Sequence, residues 1–239
     1  MSGWQAKRFW KQAAAVESEG GFAIELDGRP VRTPAKAALV VPTRTLADGI
    51  AAEWQAQDDQ IRPETMPLTR AANSALDKVV PHRAAVVEML AEYGDTDLLC
   101  YRADGPESLV AEQEARWDPW LDWSEEVLRA PLTRVIGVIP QPQPAASLAA
   151  LRARVEGEGP FALASLHDFV TLTGSLVLGL AMRARALDAT EALAISELDA
   201  LWQERLWGTD AEAAELRAKK GAQLAEAARF LDLAEGKET

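Results

Sequence analysis

Tyr93-Gly94-Asp95-Thr96-Asp97-Leu98-Leu99-Cys100-Tyr101-Arg102-Ala103, a Gly105-Pro106 break, and a polar stretch ending in Trp117-Asp118-Pro119-Trp120-Leu121-Asp122-Trp123 form the segment on which the fold reading turns. Both tyrosines of the chain, three of its eight tryptophans and its only cysteine fall here, with no histidine among them. That mix suits packing and contact rather than bond-breaking. Asp97–Arg102 reads equally as a strand or a tight connector. Pro106 suits the first turn of a helix, which the pattern carries to about Arg129. Gln113, Trp117, Trp120, Leu121, Ser124 and Leu128 share one face of it, and Pro119 is expected to kink it.

Upstream of this segment the chain reads as β, then helix. Gly21–Leu26 alternates at period two, and Asp27-Gly28 supplies two-residue hairpin chemistry because both residues tolerate positive φ. Arg29–Pro34 returns as a strand whose prolines confine it to an edge. Ala38–Pro42 reads as a third strand. Thr43 is placed to cap a helix through about Gln57, with Leu46, Ile50 and Trp54 on one stripe. Helices are predicted at Met66–Val80 and from Pro81 to Tyr93, the latter with Gly94 as C-cap.

Downstream, Arg134–Ile139 reads as a late strand and Pro140–Pro144 as a short stiff linker. Phe169–Met182 is the longest apolar run. It is too short to span a bilayer and reads as one buried core helix, with Gly174, Ser175 and Gly179 allowing close approach. Capping-box spacing at Asp188/Glu191 and Thr209/Glu212 predicts helices at about 189–206 and 210–234. The fold class expected is α+β: a β-rich N-terminal domain over residues 1–60 and a mainly helical C-terminal domain over 61–239.

Composition narrows the function classes. With 239 residues and 26% charged side chains, the chain is an ordinary globular sequence. One cysteine leaves no disulfide framework and no cysteine-rich zinc site. The net charge of −12, with no basic run, argues against nucleic acid and anionic membranes as partners. Residues 188–239 carry twelve acids against six bases, a net of −6, which either aids solubility or steers a basic partner. No apolar signal region follows Met1-Ser2-Gly3-Trp4. The absence of a heptad seam favours a monomer.

Catalytic groups are scarce. His82 opens a helix, and His167 adjoins Asp168, a neighbour it is not expected to face along a helix. Asp95 and Asp97 suggest a metal pair, but read better as turn or cap residues because no further oxygen ligands follow. Gly157-Glu158-Gly159-Pro160 lacks the Lys and Ser/Thr of a phosphate loop, so no nucleotide, cofactor or metal is expected. Cys100 sits among apolar neighbours as a structural thiol. Tryptophan is in surplus: Trp4, Trp10, Trp54, Trp117, Trp120, Trp123, Trp202 and Trp207. Of these Trp207, at a helix end before Gly208, is the one expected to be exposed, with Asp199, Glu204 and Asp210 near it in sequence.

Several stretches in order resemble one family. They are Arg8-Phe9-Trp10-Lys11; Leu26-Asp27-Gly28-Arg29-Pro30-Val31-Arg32-Thr33-Pro34; Ala52-Glu53-Trp54; Met66-Pro67-Leu68-Thr69 with Asn73 and Asp77; Asp95–Arg102; Trp117-Asp118-Pro119; and Ser196-Glu197-Leu198-Asp199 with Trp207-Gly208. Over roughly residues 7–220 they are similar to the ATP synthase F1 assembly chaperones that act on the α subunit. The resemblance implies a chaperone without ATPase activity, not an enzyme, which binds free α subunit until it pairs with β. It implies the small β-rich and larger helical domains already read from the residues. It also implies an acidic activity residue before Trp-Gly, matched here by Asp199 with Glu197 and Glu204 as neighbours. The expected client-binding set is therefore Asp199, Glu197, Glu204, Trp207, Asp210 and Trp54, with no catalytic residue. Family members in mitochondria carry a presequence, so the resemblance points to a bacterial cytoplasmic protein. The alternatives are a metal-dependent hydrolase using Asp95 and Asp97, or a scaffold for another complex.

Overall fold

The structure, a computed structural model, describes residues 7–137, 139 and 141–237. The chain divides into two compact units. One comprises Met1–Arg83, Pro160–Ser165 and Glu226–Thr239, the other Ala84–Gly159 and Leu166–Ala225. Trp4, Val138 and Pro140 of the expectations above lie outside the described residues.

In the first unit β1 (Ala13–Ser18) pairs antiparallel with β2 (Gly21–Leu26), Ala13 opposite Leu26 and Ser18 opposite Gly21. The chain then turns through Asp27 (φ 49°) and Gly28 (φ 76°), the paired positive angles expected of a hairpin turn that follows strand twist. The Asp27 carboxylate accepts from the amides of Lys11 and Gln12 at 2.9–3.1 Å, which holds its pKa below the usual value. β3 (Arg29–Pro30) and β4 (Val40–Val41) both pair with β2. Each is shorter than predicted, because Pro30, Pro34 and Pro42 have no amide to donate to a ladder. Gly21 is required where β4 crosses: a Cβ there would lie 2.2 Å from the Val41 carbonyl oxygen. β1 was not foreseen. Its Ala13-Ala14-Ala15 run has no β propensity and is recruited by β2.

Thr43 caps α1 (Arg44–Gln55) as expected, accepting from the Leu46 amide at 3.2 Å, and Leu46 and Ile50 are fully buried. The Thr43 hydroxyl also donates to the Leu233 carbonyl. α2 (Pro67–Ser74) follows and passes into a π-helical turn, Ala75–Val79, so the predicted Met66–Val80 helix is present with one wide turn. Its own N-cap, Met66, offers no oxygen. Glu53 of α1 supplies one instead, accepting from the amides of Leu68 (2.7 Å) and Thr69 (2.8 Å) and from the Thr69 hydroxyl (2.7 Å). Phe161 stacks on Phe230 at 6.0 Å, and Ser165 donates to the Ala227 carbonyl at 3.0 Å, tying the later segments into this unit.

The second unit is mainly helical: α3 (Arg83–Glu92), α4 (Glu107–Trp123), α5 (Ala145–Glu156), α6 (Pro160–Thr173), α7 (Leu176–Arg183), α8 (Ala189–Ser196), α9 (Leu198–Trp207) and α10 (Ala211–Ala234), α6 and α10 each also lending residues to the first unit. The ambiguous Asp97–Arg102 segment is both things at once. Leu98–Cys100 is a 3-10 turn, and Tyr101–Arg102 is a strand (β5) parallel to β6 (Val135–Ile136). The predicted 134–139 strand shrinks to β6, whose Ile136 is exposed. α4 continues through Pro119 and ends in a π-helical turn, Ser124–Leu128, with Pro106 just outside as N-cap. Gln113, Trp117, Leu121, Ser124 and Leu128 are buried, as their shared face predicted, and Trp120 is half-buried.

Three boundaries correct the sequence reading. The Phe169–Met182 run is two helices, because Gly174 takes φ 71° and Ser175 caps α7 by accepting from the Leu178 amide at 3.0 Å. Gly179 then packs directly under Val170 of α6. The predicted 189–206 helix breaks at Glu197 (φ −97°, ψ 15°) into α8 and α9. Gly94 does not adopt the left-handed C-cap. Its small size instead admits Leu148 and Leu151, which a Cβ would meet at 3.2–3.3 Å. No helix among the described residues is long and apolar enough to cross a membrane.

Candidate functional site

Five of the six expected client residues lie on α9 and its junction with α10. Glu197 and Glu204 stand two turns apart on one side of α9, and Arg217 and Lys220 one turn apart on α10. Lys220 Nζ donates to Glu197 at 2.6 Å, and Arg217 pairs with Glu204. Both carboxylates are mostly covered, their side chains 17% and 16% exposed. The two pairs lay α9 antiparallel along α10. On another side of α9, Arg205 pairs with Glu112 of α4.

Asp199, in the first turn of α9, is exposed but anchored. It accepts from Gln113 Nε2 at 2.8 Å, and Gln113, 1% exposed, accepts through Oε1 from the Ala103 amide at 2.9 Å. A buried amide thus holds one carboxylate oxygen and positions an acid at the helix surface. Trp117 braces the same region by donating from Nε1 to the Ile195 carbonyl at 3.0 Å.

Trp207 is 76% exposed, as expected, and Leu206 beside it is 56% exposed. Gly208 (φ 93°) turns the chain, and Asp210 caps α10 by accepting from the Glu212 amide at 2.8 Å. The cap is therefore Asp210, where the spacing had pointed to Thr209. A carboxylate in the correct position outcompetes a hydroxyl one residue earlier. Trp54 belongs to the first unit, where it is half-buried and meets Trp10 edge-on at 5.3 Å.

Asp97 is completely buried and accepts from the amides of Leu99 (3.1 Å) and Val177 (3.0 Å), joining the 3-10 turn to the start of α7. Burial pushes its carboxyl up to about 6, against the pull of those amides. Asp95 is exposed. Burial, with the Asp97 charge, pushes the Cys100 thiol up to about 12. His82 is exposed. His167 does reach its neighbour, contrary to expectation: Nδ1 lies 3.0 Å from the Asp168 carboxylate, with both side chains about half exposed. Among the described residues no three His, Cys, Asp or Glu side chains are placed to share a metal ion.

Sequence reasoning assigned no role to Glu112, Gln113, Arg205, Arg217 or Lys220. For Arg217 and Lys220 the signal is a complementary spacing, the acids Glu197 and Glu204 at i and i+7 answered by bases at i and i+3, and it has meaning only once two helices are known to be neighbours.

An exposed tryptophan and an anchored, exposed aspartate thus stand on a helix pair held by internal ion pairs. The chain matches the family model described as ATP12 chaperone protein over residues 7–125. It is 50% identical to Atp12 from Paracoccus denitrificans, whose crystal structure it matches with a TM-score of 0.92 over 96% of this chain and 98% of that one. An aspartate-to-lysine mutant of P. denitrificans Atp12p gives the same values. The Atu1473 protein of Agrobacterium tumefaciens is 43% identical, with a TM-score of 0.89 over 96% of this chain and 85% of that one. Protein atp12, mitochondrial, of Schizosaccharomyces pombe is 25% identical over 223 residues, 88% of this chain and 76% of the relative. The chain belongs to the ATP12 chaperone family.

Proposed function

We propose that this chain is an assembly chaperone for the F1 sector of ATP synthase, which holds the free α subunit until it pairs with β and hydrolyses no ATP in doing so. The observation that carries this is the 50% identity to Atp12 of P. denitrificans across 98% of its length. The α9–α10 surface supports it. An exposed tryptophan and a positioned, exposed aspartate stand on a helix pair locked by internal ion pairs, which is the make-up of a contact site rather than a reaction centre. Asp199, Trp207 and Asp210 are the client-facing groups in this reading. Glu197 and Glu204 hold the platform, and Trp54 is a separate client contact on the first unit.

Free α subunit exposes the surface that β later covers, and large exposed apolar surfaces drive aggregation. Occupying that surface removes the hazard by mass action, and tighter binding by β suffices for release. The protein acts as a monomer in the bacterial cytoplasm. Light scattering of isolated α subunit tests the proposal: a molar excess of this protein suppresses the rise without nucleotide, and an unchanged trace sinks it.

A further inference from the structure

We infer that the α9–α10 junction seats a client segment carrying an arginine or lysine beside an apolar anchor. This rests on the chaperone reading above and assigns its contact surface a chemistry. Four basic side chains lie on residues 197–225, and every one is engaged: Arg205 by Glu112, Arg217 by Glu204, Lys219 by Glu215 and Lys220 by Glu197. The acids left over are Asp199, Asp210 and Glu212. All three are exposed, and none has a cation within ion-pair distance among the described residues.

The antiparallel lie of the two helices brings the end of α9 and the start of α10 to one end of the pair. That end carries Leu206 and Trp207, with Leu216 in the second turn of α10, respectively 56%, 76% and 59% exposed. Asp210 and Glu212 follow Trp207 within five residues. The surface therefore offers an apolar platform with uncompensated negative charge, and none of the bases on residues 197–225 is left to answer it. An acidic segment is repelled, a purely apolar one leaves the carboxylates unanswered, and a cation next to an apolar residue satisfies both. The indole face adds attraction for a guanidinium or ammonium.

The test uses the full chain and short fluorescent peptides, one alternating leucine with arginine, one with glutamate in place of arginine, and one with serine in place of leucine. Binding is followed by anisotropy, beside the aggregation assay on isolated α subunit. The leucine–arginine peptide binds, and the other two bind at least about tenfold more weakly. Trp207→Ser lowers affinity by about tenfold or more, as loss of an interface hot spot does. The double variant Asp210→Asn with Glu212→Gln keeps a capping side chain, weakens binding and flattens its dependence on salt. Equal binding of the glutamate peptide, or an unchanged affinity in Trp207→Ser, overturns the inference. Protection of α by the parent chain together with full protection by Trp207→Ser overturns it while leaving the chaperone reading standing. Trp207-dependent capture of the arginine peptide with no protection of α does the reverse.

Discussion

Asp97 and Asp199 carry the same carboxyl group to opposite ends. Asp97 has no exposed surface, and its carboxyl is pushed up to about 6 by burial while the unfolded chain returns it to about 3.8. The folded state therefore binds more protons between those values. Its stabilising contribution is complete below about 4 and is lost as pH rises through about 6. Cys100, its ionisable neighbour, is held near 12 and stays neutral throughout. Asp97→Asn replaces an acceptor with an amide NH2 facing a backbone N–H, so it destabilises at every pH. Its cost is greatest at pH 4 and shrinks by up to about 3 kcal/mol by pH 7. Urea denaturation at pH 4, 5, 6 and 7 checks this, and a pH-independent cost contradicts the raised carboxyl. Asp199 is the surface case. Asp199→Asn retains an acceptor for Gln113, so stability changes by less than about 0.5 kcal/mol. Asp199→Ala leaves the Gln113 amide to water and costs about 1 kcal/mol. Protection of α subunit falls in both, and a loss that tracks stability alone makes Asp199 merely structural.

At the scale of elements, the legible parts of the fold were those encoded within a few residues. Asp27-Gly28 announces its turn, Thr43 its cap, and Leu46 and Ile50 the buried stripe of α1. What stayed hidden depends on remote partners. β1 is alanine-rich and becomes a strand only against β2. The α6–α7 break lies in an apolar run whose periodicity gives no sign of it, because α7 is buried on every side from Leu176 to Met182. Glu197 and Glu204 look free in sequence and are consumed by α10. Glycine positions separate the two kinds of constraint. Gly28→Ala meets open space and costs about 1 kcal/mol for its positive φ. Gly21→Ala drives a Cβ into the Val41 carbonyl and costs more than about 2 kcal/mol by breaking the β2–β4 pairing. At the site, Asp210→Ala removes the α10 cap for about 1 kcal/mol while Thr209→Ala is near neutral. The opposite order in thermal unfolding would restore Thr209 as the cap.

For the whole molecule, net charge and binding strength decide how a passive chaperone lets go. The chain carries −12, half of it in residues 188–239. A field of that sign speeds encounter with a basic surface and is screened within about 10 Å at 0.1 M salt. Attraction of this kind adds more to the rate of capture than to the lifetime of the complex. On the function proposed above, a shield that yields to β needs that balance, with fast capture, modest affinity and no energy-consuming step. Two measurements follow from one preparation of the chaperone–α complex. Raising salt from roughly 50 to 300 mM slows association by about tenfold or more and changes dissociation little. Adding β without nucleotide releases the chaperone in proportion to the β supplied, because release is competition for one surface. Salt-independent association removes steering from the mechanism. Release that waits for ATP hydrolysis removes passive competition, and with it the reason a protein built for contact suffices for the task.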